Sequence, residues 1–473
     1  MEQIPQFIDG EPRAASRTFE TIDPHARAPW ATVAHSTRED LDAAVTAARR
    51  AFDDGPWPRM SPEARRDVLH AVADAVMAHA DELARLDTTD MGKPISASTG
   101  KDVPRTAQNL RFFGDYAAMA TDERLPMASG HHAYTTHDPA GVTASISPWN
   151  FPLMLASWKI APALAFGNTV VAKPAEQTPA SLARFAEIAV EAGLPAGVLN
   201  VVQGFGPDDV GEWLTSDPRI DRITFTGESG TGRAIGRAAM ANLTPVSFEL
   251  GGKGANLVFA DADLDAAVDW SIKAVFTNAG QVCLAGSRLY VQRPVYEEFL
   301  ARFVEAAEAM VVGDPMDPAT EIGPLASEEH WRKVVSYLDL AREEGAKVLT
   351  GGRGEGWVVT PTVLVDADPD GRVCREEIFG PMVVVQPFDD EDEGVAVAND
   401  TPYGLNAMLF TEDLRRAHRV AGRLRAGTVW VNCFFVRDLR APFGGAGDSG
   451  IGREGGAYSR EFFTEPKAVV IEA

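Results

Sequence analysis

Cys283 stands in Gly280-Gln281-Val282-Cys283-Leu284-Ala285-Gly286-Ser287-Arg288, and Glu249 stands in Phe248-Glu249-Leu250-Gly251-Gly252-Lys253. A thiol among small residues can attack a carbonyl and hold the acyl group that results, and a carboxylate can activate the water that releases it. Together they are the groups needed to oxidise an aldehyde through a covalent thioester. A free thiol is only a few per cent ionised near neutral pH, so an active cysteine is expected to have a lowered pKa, for example from helix N–H groups or a nearby cation. The Gly-Gly after Glu249 permits close approach of backbone. Cys374 and Cys433 have no comparable setting and read as buried structural residues.

The surrounding chain is long enough to need two or three domains, since its 473 residues exceed the ~250–300 at which one core stops growing. Apolar residues at 45% and charged residues at 24% describe a soluble globular enzyme. A formal charge of −24 disfavours nucleic acid and anionic membrane, and it leaves any anionic ligand dependent on particular Arg or Lys residues. Three cysteines make no disulfide framework, and no Cys/His cluster has metal-ligand spacing, so a reducing cytoplasm and no metal are expected. Residues 1–6 lack the basic and apolar regions of a signal peptide. The most apolar run, Gly141 to Ala172, is broken by Pro148, Asn150, Pro152, Lys159 and Pro162, which argues against a membrane span.

Two amphipathic helices are predicted to open the chain, one over about Glu39–Phe52 after Thr37 and one after Ser61-Pro62. From Gly141 onward β-branched runs (Thr169–Ala172, Val198–Val202, Arg222–Phe225) alternate with helices starting near Thr178, Asp208 and Gly230. That alternation predicts a parallel sheet of βαβ units. A second alternating series from Ala255–Phe259 to about Val431, with helices near Pro294–Met310 and Ser327–Glu344, predicts a second α/β domain carrying Cys283. The strand His131–His137 is expected to pair with Ala468–Ile471, and both could reach out to another subunit. Gly351–Gly356 reads as a loop.

Six motifs in order make the chain resemble the aldehyde dehydrogenase family from end to end: Pro148-Trp149-Asn150-Phe151-Pro152, Lys173-Pro174-Ala175-Glu176-Gln177-Thr178-Pro179, Phe225-Thr226-Gly227, the Glu249 segment, the Cys283 loop, and Glu376-Glu377-Ile378-Phe379-Gly380-Pro381. The resemblance implies an α/β fold: a Rossmann-like dinucleotide-binding domain (1–119 and 140–251), an α/β catalytic domain (252–446), and a small β-ribbon oligomerisation element with a C-terminal tail (120–139 and 447–473). It implies a homodimer or homotetramer, and it assigns Cys283 as nucleophile, Glu249 as general base and Asn150 as oxyanion donor beside the Cys283 N–H.

NAD is the implied cofactor. Lys173 and Glu176 match the ribose-binding positions, Glu377 the residue that holds the nicotinamide ribose, and Phe379 the one packed by the ring. Ile146, Trp149, Gly206, Phe225, Gly227, Gly232 and Leu250 complete the implied cofactor site. An acid at 176 would repel a 2′-phosphate and so favours NAD over NADP. There is no Gly-x-Gly-x-x-Gly, and Glu228 stands where many relatives have a small residue, so it could repel phosphate or face solvent.

Arg437-Asp438-Leu439-Arg440 before Pro442-Phe443-Gly444-Gly445, together with Asp102-Val103-Pro104-Arg105, resembles the branch that oxidises 2-hydroxymuconic and 2-aminomuconic semialdehydes. Arg105 and Arg437 would then grip the distal carboxylate of the substrate, and Arg440 would pair with Asp438 or a neighbouring helix. Surface ion pairs for all three arginines, another small aldehyde as substrate, a coenzyme A-acylating reaction, and a silent binding protein remain alternatives to that reading.

Overall fold

The computed structural model describes residues 2–472. Five parallel strands form the centre of the first sheet, which has eight strands: β1 (Val142–Ile146), β2 (Thr169–Lys173), β3 (Leu199–Val201), β4 (Arg222–Thr226) and β5 (Val246–Glu249). Their order is β5-β4-β1-β2-β3. Every residue of β1 to β4 is buried, as expected where helices cover both faces of a parallel sheet. The order reverses between β1 and β4, and a crevice for ligand opens at such a switch point, beyond the carboxyl ends of the strands. Ile146, Lys173, Phe225 and Glu249 all lie at or one residue before those ends.

The second sheet holds seven strands, in the order Lys347–Arg353, Val359–Val365, Met382–Phe388, Arg288–Gln292, Ala255–Val258, Asn406–Phe410 and Thr428–Val431. All neighbours are parallel except the first pair. One apolar cluster joins the two halves, running from Trp57, Leu110 and Leu164 to Phe276, Phe303 and Val384. A third sheet pairs His132–Pro139 with Thr464–Ile471 along its whole length and adds Arg124–Pro126. The expected partner of the 131–137 strand is therefore the observed one.

Local chemistry explains the early helices. Thr37 and Asp40 form a capping box at the start of Arg38–Asp53, and Ser61 caps Pro62–Ala78 with Pro at its first position, which satisfies helix N–H groups that otherwise lack partners. These helices do not open the chain, however. Five strands between Glu2 and His35 precede them; they are short or carry prolines such as Pro12 and Pro29, which hides their alternation.

Within Gly351–Gly356, residues 354–356 form the expected loop, whereas residues 351–353 belong to a strand. Gly351 and Gly352 lie inside the antiparallel edge strand, at its register shifts, with φ of +86° and +124°. A Cβ on Gly351 would sit 2.1 Å from the Pro361 carbonyl oxygen, so glycine there allows a bulged strand to approach its neighbour.

Candidate active site

Glu249 ends β5 and is buried. Two other segments meet it. The strand Gly450–Ile451 pairs antiparallel with β5 through Glu249 and Gly450, and this brings in Gly444, where an added Cβ would lie 2.5 Å from Glu249 Oε1. The helix Pro152–Ala165 brings in Lys159, buried and bonded to Glu454 at 2.7 Å and to Thr224 at 3.0 Å. Both Glu249 oxygens and Glu454 Oε2 are buried without a hydrogen-bond partner. Burial foremost, and the negative charge of Glu454 next, push the Glu249 pKa well above the ordinary carboxylate value, against Lys159 and Arg437. A carboxyl that holds its proton more tightly is a stronger base once ionised.

Cys283 follows the short helix Thr277–Gly280, within which Asn278 and Ala279 take left-handed φ of 54° and 52°. The thiol is free and half-buried. Its pKa is not lowered as expected. Burial first, then Glu377 and Glu249, push it up to about 12, while Arg437 pulls the other way. No helix begins at Cys283 to supply N–H groups, and two carboxylates outweigh the single cation. The thiol therefore needs a base to take its proton.

Asn150 is buried, and its side-chain amide donates to the Gln281 carbonyl at 2.9 Å. An amide carries two N–H donors, so one remains beside the Cys283 loop. Asn278 Nδ2 donates to the Asn150 carbonyl at 2.9 Å, tying the two segments together in both directions.

Of the expected cofactor residues, Ile146, Lys173 and Phe225 lie at or one residue before the carboxyl ends of strands of the first sheet. Lys173 is buried, 3.6 Å from the partly exposed Glu176, and burial lowers its pKa. Gly227 donates its N–H to the Glu249 carbonyl at 3.1 Å, and Gly232 packs so that a Cβ would lie 2.7 Å from Leu250. Gly206 lies between β3 and the helix Val210–Ser216 and accepts from the Glu212 N–H. A Cβ at Gly206 or at Gly230, in the first turn of Ser229–Ala241, would meet nothing within 4 Å. Open space before a helix N-terminus suits a pyrophosphate. Glu228 points no cap at that helix and is exposed. Glu377 accepts from the Gly252 N–H at 2.8 Å, and burial pushes it up to about 7. Phe379, at φ +63°, packs edge-on to Trp149 with ring centroids 5.3 Å apart. His330 also meets Trp149 and bonds the Phe379 carbonyl at 2.7 Å; burial drops its pKa to about 4, so it stays neutral.

Arg437 lies over the rings of Phe443 and Trp158, 3.8 and 4.6 Å from their centroids. Its Nη2 is buried and unbonded. Burial, then the like charge of Arg105, push its pKa down to about 10. Among the described residues neither Arg105 nor Arg437 has an ion-pair partner. Arg440 forks onto Asp438, with Nη2 2.6 Å from Oδ2, as expected.

Sequence reasoning missed Lys93, Lys159, His330 and Glu454, and placed Asp102 only as a neighbour of Arg105 in its motif. Lys159 had registered only as a break in an apolar run, yet a lone cation in a buried helix signals a buried acid.

The parallel switch-point sheet, the second α/β sheet holding the thiol loop, and the carboxylate between them define a class. The aldehyde dehydrogenase family profile matches residues 12–469, and the chain belongs to that family. Among its relatives, the 2-hydroxymuconic semialdehyde dehydrogenase of Pseudomonas sp. (strain CF600) is 49% identical, with 100% of each chain covered. A 2-aminomuconic 6-semialdehyde dehydrogenase of Pseudomonas sp. is 46% identical over 98% of this chain and 97% of that one. The NAD+ complex of an aldehyde dehydrogenase from Bacillus cereus superposes with a TM-score of 0.97 at 41% identity, covering 100% of this chain and 97% of that chain. No helix among the described residues is long and apolar enough to cross a membrane.

Proposed function

We propose that this NAD-dependent aldehyde dehydrogenase oxidises a semialdehyde bearing a distal carboxylate, such as 2-hydroxymuconic or 2-aminomuconic semialdehyde, to the dicarboxylate in aromatic-compound catabolism. The observation that carries the substrate class is the buried, unbonded Nη2 of Arg437, in a guanidinium with no acidic partner among the described residues and with Arg105 beside it. A buried donor left unpaired is costly, and a ligand carboxylate would pair it in a two-pronged bond. The names of the two Pseudomonas relatives support the same class.

Cys283 attacks the aldehyde carbon as the thiolate, its Sγ proton having passed to water. The free N–H of the Asn150 amide and the Cys283 backbone N–H receive the developing oxyanion, where loss of one donor costs about 2.7–4 kcal/mol. When bound, NAD supplies the hydride acceptor that turns the Cys283 adduct into a thioester. Lys173 and Glu176 would hold its adenosine ribose, Gly206, Gly227 and Gly232 would flank its phosphates, and Glu377 would hold the second ribose. Ile146, Trp149, Phe225, Leu250 and Phe379 provide the packing surface. Glu249, ionised, takes a proton from the water that hydrolyses the thioester. Its unpartnered oxygens favour water over coenzyme A as the acceptor, and NADH formation that strictly required coenzyme A would refute this.

The proposed domains are a dinucleotide-binding domain (1–119 with 140–251), a catalytic domain (252–446) and an oligomerisation element with a C-terminal tail (120–139 with 447–473), in which Gly450–Ile451 adds an edge to the first sheet. The protein acts in the cytoplasm as a homodimer or homotetramer through its three-stranded element. Replacing Arg437 by Ala should raise KM for a carboxylated semialdehyde about 10–100-fold, because a bond to a charged group is worth about 1.5–3 kcal/mol. Activity on a simple aldehyde should persist. Equal kinetics on the carboxylated substrate would sink the assignment.

A further inference from the structure

We propose that the buried ion pair Lys93–Asp102 is a positioning device that sets the distance between the oxyanion donor and the carboxylate grip. The proposal rests on the roles given above to Asn150 and Arg105.

Both residues are 1% exposed, and Lys93 Nζ contacts Asp102 Oδ2 directly. The same ammonium donates to the backbone carbonyl of Asn150 at 3.3 Å and lies 3.9 Å from the centroid of the Phe151 ring. One cation thus has contacts in three directions, which leaves it no rotational freedom. The Asn150 carbonyl it holds is also held by Asn278, and the Asn150 amide by Gln281, so Lys93 completes the fixing of the peptide that aims the oxyanion donor at the Cys283 loop.

Asp102 stands at the other end. It closes the turn Ser98–Asp102 and precedes the helix Val103–Met119, with its carbonyl accepting from Thr106. Arg105 lies in the first turn of that helix. Through one ion pair, the segment that places Arg105 is joined to the segment that places Asn150, although 48 residues of sequence separate Asp102 from Asn150 (150 − 102). A substrate held at both ends feels that separation; a substrate held only at its aldehyde does not.

Stability alone is a poor explanation for the pair. Two apolar side chains of similar volume generally fill such a site as well or better, because the charges must give up water. Asp102 Oδ1 is itself buried without a partner, a cost that a purely structural contact would not retain.

The test is the double variant Lys93→Met/Asp102→Leu, which keeps the volume apolar, with Asp102→Asn as a near-isosteric second variant should the first fail to fold. The readout is kcat/KM for a carboxylated semialdehyde divided by kcat/KM for an unbranched aldehyde of equal length with no acid. The folded variant should lose about 10-fold or more of the wild-type ratio, since a misplacement of about 1 Å can cost 100-fold in rate, while NAD binding measured by fluorescence stays the same. An undiminished ratio, or equal losses on both aldehydes, would overturn the role of the pair. A wild type that shows no preference for the carboxylated substrate would instead refute the reading of Arg105 and Arg437, so the two failures can be told apart.

Discussion

The charges around Glu249 decide when it can act. Glu454 raises its pKa by like-charge repulsion, while Lys159 and Arg437 lower it. Neutralising Glu454 in Glu454→Gln removes the repulsion, so the Glu249 pKa must fall and the acidic limb of the kcat–pH profile should move to lower pH. A limb that moves to higher pH would contradict the arrangement. Gly444→Ala tests position rather than charge. Its Cβ would meet Glu249 Oε1 at 2.5 Å at a backbone φ of +140°, so the carboxylate must shift. Turnover should drop about 10–100-fold, while a rapid first burst of NADH survives, because thioester formation precedes the step that Glu249 assists. Cys283 carries a third expectation. With its thiol pushed up to about 12, the ligand-free enzyme should react slowly with iodoacetamide at pH 7 and still be gaining rate at pH 10; a plateau below pH 8 would refute it.

Elements were legible where local chemistry is self-sufficient. Thr37 with Asp40, and Ser61 with Pro62, are short-range signals, and the helices begin where they indicate. Thr37→Ala should cost about 1 kcal/mol, read as a lowered denaturation midpoint with kcat unchanged. The buried strands β2 to β4 were equally visible as β-branched runs. The strands before His35 were not, since Pro29 and the charged edge residues of Glu11–Arg13 look like turn material until a neighbour is present to pair with them. The glycines at 351 and 352 misled for a related reason: whether glycine marks a loop or a bulge depends on the backbone lying across from it, here Pro361.

The proposed assembly surface belongs to the scale of the whole molecule. His132–Pro139 is the middle strand of the third sheet, and exposed apolar residues lie on or beside both edge strands, Leu125 and Met127 on one side and Val470 and Ile471 on the other, as edges that a folded chain normally covers. Removing residues 464–473 should shift the mass measured by light scattering to that of the monomer; an unchanged mass would place the interface elsewhere. On this scale the division between sequence and structure is clear. The sequence alone determined the family and the candidate chemistry: Cys283, Glu249, Asn150 and the carboxylates proposed to bind ribose stand in short motifs recognised without reference to distant contacts. Only the tertiary structure decided how strongly each group holds its proton and which cations go unpaired. Desolvation and Coulomb interaction depend on distance through space, and residues such as Lys159 and Glu454, or Arg105 and Arg437, lie hundreds of positions apart until the sheets bring them together.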